Sequence, residues 1–464
     1  MTQFRAAILL PVLLLGACSS LNTPYTRPAL PDAPKWRSEN SPATPTPTDW
    51  WQALGDPQLT HLVAAVLDRN SDLLAATLRA RRALLQAESV GVSRIPSLNG
   101  SANAERRTNL GDGTSTNTYT LSLGATYELD LWGRLSSAQD IAALQAAASA
   151  EDVEAARMTV VAATIETYWR LGFASEDIAA ARAGLEAARK VEALAVEQEA
   201  GGAATALEIA EARQAVESQA AQISDMEQNR VVLRNTLLVL LNGAPSPVPE
   251  PKRLPARKPA QLSAGLPAEL LARRPDLRAA ELRLRASLRT VDNTRASLYP
   301  QLSLTGNLGT SSSQLLNILA NPAGTLGAGL VLPFLNLRDG ELRVKVSQAE
   351  YELAATEFRA ALLTAFSDTS TALSASTTFG EKSRRLRAAL TAAQAADRLT
   401  EERYRAGALS LRAWLDAEDR TRAARRALAA TRLEQLLNEV QIFRVLGGAP
   451  AHTPAPAPAL AASR

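Results

Sequence analysis

The sequence is written twice. Asn70-Ser71-Asp72-Leu73 reappears as Arg274-Pro275-Asp276-Leu277, and Ser93-Arg94-Ile95-Pro96-Ser97-Leu98 as Ser297-Leu298-Tyr299-Pro300-Gln301-Leu302. Gly202-Ala203-Ala204-Thr205 reappears as Gly407-Ala408-Leu409-Ser410, and Asn242-Gly243-Ala244-Pro245 as Gly447-Gly448-Ala449-Pro450. Four matches at one offset of about 204–205 residues indicate two copies of one architecture, over 50–248 and 262–450, with a Pro-rich linker at 249–261. Any element assigned to one half must therefore occur in the other.

Each half opens with an amphipathic helix, about 57–94 and 267–298. Pro96 and Pro300 end helical hydrogen bonding and allow an extended exit. Two period-2 segments follow in each half, about 97–106 and 117–130, then 301–309 and 324–333. Tyr119, Leu121, Leu123, Ala125, Tyr127 and Leu129, for example, alternate with polar residues or glycine. The loops between them are polar or Gly/Ser-rich, although the second holds Leu315-Leu316-Asn317-Ile318-Leu319. Proline is then absent from Leu135 to Glu199 and from Gly340 to Ala406. Ile141, Leu144, Ala148, Ala155, Met158, Ala162, Ile165 and Trp169 form a 3-4 heptad seam interrupted by Glu151. Leu342, Val346, Ala349, Leu353, Thr356, Ala360 and Leu363 form its counterpart, and such seams mean coiled-coil packing. About 65 helical residues span on the order of 100 Å. Gly201, Gly202 and Gly407 break these helices, and second helices return over about 205–241 and 409–446.

The four strands pose a physical problem. Their length and their one apolar face suit a bilayer crossing. Four strands cannot close a barrel, and an open edge in lipid leaves backbone groups unpaired at several kcal/mol each. Closure needs other copies: two give eight strands and a filled interior, three give twelve and a lumen. A half-buried soluble sheet is the alternative, weakened because the pattern occurs twice beside helices far too long for an ordinary domain.

The ends of the chain add an address. Arg5, then an apolar run from Ala6 to Leu15, has the proportions of a signal peptide over 1–17. Leu15-Gly16-Ala17-Cys18 fits a lipoprotein cleavage site at which Cys18 becomes residue one and carries acyl chains such as palmitate. The alternative is a chance cysteine at an ordinary secretory site. Residues 18–49 read as acylated terminus and Pro-rich tether, and 451–464 as a disordered Ala/Pro tail. Cys18 is the only cysteine, which excludes an internal disulfide and cysteine-cluster metals, and with only two histidines no metal or other cofactor is expected. The net charge of +3 does not indicate nucleic acid, because charges alternate in sign along helices without aromatic-basic patches. No catalytic constellation stands out, so the chain does not read as an enzyme.

On four stretches the sequence resembles the TolC-like outer-membrane efflux proteins, in particular the NodT-type lipoproteins of resistance-nodulation-division (RND) systems. These are the run Trp50 to Leu59 (WWQALGDPQL), the run Tyr127 to Arg134 (YELDLWGR), the run Gly265 to Glu281 (GLPAELLARRPDLRAAE), and Arg403-Tyr404-Arg405-Ala406-Gly407. The resemblance covers nearly everything from Cys18 to Ala449. It implies a membrane α+β fold with four transmembrane strands per protomer, a homotrimer with a twelve-stranded barrel, and a helical barrel in the periplasm. It also implies three kinds of partner: outer-membrane lipid, a periplasmic membrane-fusion adaptor and an inner-membrane RND transporter. Together they would export drugs and other toxic small molecules, the basis of antibiotic resistance. Ser19 after the cysteine favours sorting to the outer membrane.

The same resemblance assigns roles at the periplasmic mouth, where the helical turns at Gly201, Gly202 and Gly407 fall. Tyr404 and Glu208 match an inter-helix lock, a phenol bonded to a carboxylate. Asp416 matches a lumen-facing aspartate, three copies of which would make an acidic ring near the constriction. Arg412 stands where close relatives carry a constricting leucine, and at i,i+4 it can pair with Asp416 in one chain or between chains, making the gate ionic. The alternative is that Glu208, Arg412 and Asp416 are ordinary helix charges and Tyr404 is packing. Trp132 and Tyr127 could join an interfacial aromatic girdle or a core. Other functions open at this point are an exit duct for metal efflux or type I protein secretion, or a lipid-anchored periplasmic coiled-coil scaffold.

Overall fold

The computed structural model describes residues 22–28, 49–202, 204–258 and 273–447. A 3-10 turn at Trp50–Leu54 precedes α1 (Pro57–Arg69), α2 (Ser71–Val92), β1 (Ser97–Thr108), β2 (Ser115–Leu129), α3 (Arg134–Ala200) and α4 (Ala206–Leu240). The second half gives α5 (Pro275–Ala296), β3 (Gln301–Ser312), β4 (Pro322–Val331), α6 (Leu337–Arg405) and α7 (Leu411–Val445). The signal peptide, Cys18, the tail and residues 259–272 lie outside the described residues. Among the described residues two compact units emerge, each drawing on both halves: one contains 22–28, Thr77–Asp152 and Asp276–Leu362, the other 49–76, 153–202, 204–258, 273–275 and 363–447.

In the first unit the strands form one antiparallel sheet in the order β1-β2-β3-β4. Its register settles the faces. Leu98, Ala125, Gly306 and Leu326 lie in one cross-strand row, and Gly100, Leu123, Leu308 and Gly324 in another. Every apolar position of the alternation therefore falls on one face, and the opposite face carries rows such as Ser97, Thr126 and Thr305. The apolar face is uncovered, with Leu98 75% and Leu326 95% exposed. Among the described residues β1 and β4 each pair along one edge only. The strands run a little past the expected limits at their loop ends, because Arg107 and Thr108 pair with Thr116 and Ser115 although their side chains break the apolar pattern. At its other end β4 stops at Val331, ahead of the 3-10 turn that Pro333 opens.

The expected loose tether is packed where it is described. Thr23 gives its backbone N–H and its hydroxyl to Asp292 at 2.9 and 2.6 Å, and Arg27 binds Glu281 at 2.8 and 3.1 Å. Asp292 and Glu281 are buried on α5 eleven residues apart, about three helical turns, so they lie on one face. The extended segment answers them with Thr23 and Arg27, and burial of both carboxylates demands such partners. Glu151, the polar break in the first seam, is paired with Arg278 of α5 at 2.6 Å.

In the second unit the core gathers Trp50, Leu62, Ile165, Trp169, Leu237 and Val440, with Trp50 stacked on Phe443 at 4.6 Å. The linker is held against this core. Leu254 is buried, Arg257 pairs with the 2%-exposed Glu439, and Glu250 receives Arg234. Gly172 of α3 permits the close approach, since a Cβ there would sit 2.8 Å from the Arg253 carbonyl.

Two expectations are corrected. The single helix over 57–94 is two helices, because Asn70 leaves helical geometry (ψ 125°) and its Oδ1 accepts from the N–H groups of Asp72 and Leu73. Its amide also donates to the Leu240 carbonyl at 3.0 Å, fixing the break against the end of α4. The two seams also differ. Ala148, Ala162, Ile165 and Trp169 are buried, whereas Leu342, Val346 and Leu353 are 46%, 57% and 59% exposed, while Phe358 and Leu362 turn inward instead. The α6 seam is thus largely exposed among the described residues. No described helix is long and apolar enough to cross a membrane. Replacement of Asn70 by Ala is expected to destabilise the fold by about 1–2 kcal/mol through loss of the cap, read as a lower midpoint for thermal loss of the helical circular-dichroism signal. An unchanged midpoint would deny the side chain this role.

Candidate functional site

The two helical turns, both in the second unit, are built alike. Gly202 and Gly407 adopt φ of +74° and +72°, the left-handed conformation that glycine enters without a Cβ penalty. After α6, the N–H groups of Gly407 and Ala408 cap the carbonyls of Tyr404 and Arg403 at 2.8 and 2.9 Å. A hydroxyl then starts each returning helix: Ser410 Oγ accepts from the Ala413 N–H, and Thr205 Oγ1 from that of Glu208. A small apolar cluster of Val191, Ala195, Ala212, Tyr404 and Leu411 joins the two hairpins.

The lock and gate residues are present here with different partners. Glu208 is occupied by its own helix, where its carboxylate accepts the Thr205 N–H at 2.8 Å and completes a capping box. Tyr404, nearly buried, donates its hydroxyl to Gln198 Oε1 at 2.8 Å and stacks on Trp414 at 5.3 Å. The expected phenol-to-Glu208 bond is thus not made within the chain. Glu208 still acts on the phenol at a distance: burial first, then this negative charge, pushes the Tyr404 hydroxyl above its ordinary pKa. Arg412 reaches not to Asp416 but across to Glu211 of α4, 3.2 Å away, so the pair links hairpin to hairpin. Asp416 projects an exposed side chain, and its backbone carbonyl accepts from Arg420.

Sequence reasoning passed over Gln198, Glu211 and Trp414, and it also passed over an acidic pair between α6 and α7. Burial, together with Glu401, raises the Asp397 carboxyl above its ordinary range against the opposing pull of Trp414, Arg422 and Arg425. Burial also raises Glu418, opposed by Arg422 at 2.6 Å and reinforced by Asp397 and Asp419. The spacing of Glu418 and Arg422 was a readable i,i+4 signal; the burial of Asp397 was not.

In the first unit the polar sheet face carries hydroxyl pairs such as Ser101 with Ser122 at 2.8 Å. Beyond the end of β2, Trp132 packs on Tyr299 at 4.9 Å and donates its indole N–H to the Pro300 carbonyl at 2.8 Å. Trp132 is half-buried, with its N–H satisfied by protein and its ring against another aromatic. Tyr127 lies on the apolar face opposite Leu304.

With this geometry in place, comparison with known proteins decides the family. The model for outer membrane efflux proteins matches residues 62–243 and 266–448. The chain belongs to the outer membrane efflux protein family. It is 32% identical to the pyoverdine export outer membrane protein OpmQ of Pseudomonas putida, over 97% of this chain and 98% of the relative. It is 30% identical to the toluene efflux pump outer membrane protein TtgC of Pseudomonas putida, over 97% and 96%. Among solved structures it is similar to the outer-membrane channel OprN, with a TM-score of 0.84 and 27% identity, covering 92% of this chain and 99% of that one. The sheet and the long helices of this outer-membrane efflux protein are thus those of the TolC-like channel fold.

The acidic pair gives a pH dependence of defined sign. A carboxyl whose folded-state pKa is raised holds its proton more tightly when folded. Its stabilisation is complete below the unfolded pKa and is lost as pH rises through the folded value. Amide-exchange protection across 397–418 is therefore expected to fall as pH rises above the ordinary carboxyl range, with protection across 160–171 as the internal reference. Asp397→Asn should flatten that fall. A dependence of the opposite sign would show that the arginines, not burial, dominate the pair.

Proposed function

We propose that three copies of this chain close a twelve-stranded barrel in the outer membrane and serve as the passive exit duct of a tripartite pump for small molecules. The observation that carries the reading is the sheet: four strands whose register gathers the alternating apolar positions on one exposed face and whose two outer edges are unpaired among the described residues. In lipid those edges are satisfied only by neighbouring copies. The exposed Leu342, Val346 and Leu353 seam on α6 supplies a second apolar surface for the same neighbours. A periplasmic scaffold that never enters lipid would leave Leu98 and Leu326 in water without purpose.

The partners are a periplasmic membrane-fusion adaptor and a proton-driven inner-membrane RND transporter, and the long helices extend into the periplasm toward them. Relatives named for pyoverdine export and for toluene efflux match nearly the whole chain. A duct common to such different cargo leaves selection to the pump. Acylated Cys18 anchors the chain, and the clamp of Thr23 and Arg27 on α5 supports a fixed place for that anchor. The gate lies at the hairpin turns. Arg412 with Glu211 and Tyr404 with Gln198 tie the hairpins together, Glu208 holds the first turn, and Asp416 copies line the constriction as an acidic ring.

Single-channel conductance in a planar bilayer tests this. The unaltered protein is expected to give small discrete openings. Arg412→Ala should raise open probability by loosening the hairpins, and Asp416→Ala should lower cation selectivity while leaving the openings intact. Folded trimers that give no channel would sink the duct. A channel indifferent to both substitutions would keep the duct and remove the gate from these residues.

A further inference from the structure

The loop between β3 and β4 does not behave as a water-facing loop. From Gln301 to Leu337 the sequence contains no Asp, Glu, Lys or Arg, whereas the β1–β2 hairpin carries Glu105, Arg106, Arg107 and Asp112. The loop is ordered from within: it contains a 3-10 turn at Leu315–Asn317, Asn317 donates to Gln314 at 2.9 Å, and the Gln314 N–H reaches Ser312 Oγ at 3.1 Å. That order presents apolar side chains outward. Leu316 is 99% exposed and Leu319 72%.

Thr310 fixes which side the loop occupies. It is opposite Leu121 and Pro322, and by strand alternation it shares the face of Leu308 and Leu304. Two residues along that face Leu308 is 66% exposed, yet Thr310 is buried. Its cover is the loop itself, and its hydroxyl donates to the Ile318 carbonyl. The loop therefore folds back over the apolar face of the sheet, not over the polar face that would border a lumen. A hydroxyl on a lipid-facing strand must find an internal acceptor, and the returning loop provides one.

We propose that the β3–β4 loop is a membrane-inserted anchor, with Leu316 and Leu319 seated in the acyl layer of the outer leaflet at the rim of the barrel. The occupant is lipid because the loop continues a face that already meets lipid, because it carries no charge that would hold it among headgroups or in water, and because its exposed leucines have no cover among the described residues. The inference rests on the barrel reading above, and the test separates the two.

Leu316→Cys, Leu326→Cys and Ser101→Cys are each labelled with an environment-sensitive fluorophore in the full-length channel and reconstituted in phosphatidylcholine vesicles, with the parent protein taken through the same labelling as a blank. Quenching is read with spin-labelled phosphatidylcholine and with iodide. Leu326, in the middle of the apolar face, should be quenched by the lipid probe and Ser101, on the polar face, by iodide. The Leu316 label should then lose fluorescence to the lipid probe to an extent comparable with Leu326, and resist iodide. If both controls behave and the Leu316 label is quenched by iodide, the loop lies in water and the inference falls while the barrel stands. If it is shielded from both quenchers, the loop packs on a neighbouring copy and the inference falls equally. If Leu326 itself escapes the lipid probe, the barrel reading fails and the anchor fails with it.

Discussion

An open β-sheet edge is intolerable in hydrocarbon, and most of this molecule can be derived from that constraint. Each unpaired N–H or C=O in lipid costs several kcal/mol, and β1 and β4 each present a whole edge of them. No rearrangement of one chain removes both edges, since four strands are too few to close. Assembly is therefore a requirement of the fold and not an addition to it. The apolar rows of the sheet specify which face must point outward, and the polar rows, with Ser101 against Ser122, specify an interior that tolerates water. The exposed leucine and valine seam of α6 meets the same demand by a different route, since its apolar side chains also require a neighbour.

Helices of 67 and 69 residues raise the opposite difficulty, that of stopping. Nothing in a uniform Ala-rich run dictates an end, so the chain supplies one: a left-handed glycine, then a hydroxyl N-cap, in both halves. The carbonyls left over at the end of α6 find the N–H groups of Gly407 and Ala408, and the free N–H groups at the start of α4 find Thr205. Three buried carboxylates follow the same accounting. Asp292 and Glu281 on α5 are answered by Thr23 and Arg27, and Glu439 by Arg257. Segments that look like loose connections in composition are fixed by pairing with buried charges.

This explains what could be read from the sequence and what could not. Strand position and facing were legible because a period of two is unambiguous when Leu, Tyr and Ala alternate with Ser and Thr, and a one-residue slip would invert every side chain. Helix extent was legible from the absence of proline and the paired glycines. The break at Asn70 was not, since asparagine within an amphipathic pattern signals a cap only when its amide has somewhere to go, here the Leu240 carbonyl. The clamp at 22–28 was hidden for the same reason: its partners lie more than 250 residues away. At the hairpin turns the backbone was legible and the side-chain pairing was not. Glu208, Arg412 and Tyr404 all lie close in sequence to the turns, but the choice among partners depends on how four helices are rotated about their axes, which no one-dimensional pattern records.

Those partner choices bear on how an exit duct could open. The Arg412–Glu211 pair is exposed on its arginine side, and such pairs contribute about 0–1 kcal/mol. The Tyr404 hydroxyl bond to Gln198 contributes roughly 0.5–1.5 kcal/mol, and the stacked Trp414 ring adds about 0.5–1.5 kcal/mol beyond its area burial. Coherence of the hairpin pair therefore resides in the aromatic and aliphatic cluster around Tyr404, while the ionic link at Arg412 is the cheaper one to break. A mouth built this way separates two tasks. Charges at the rim can be rearranged by a charged partner at small cost, and the apolar cluster keeps each pair of hairpins together while it happens. Under the gate proposed above, opening would exchange surface ion pairs and would not require unpacking the helices that carry them.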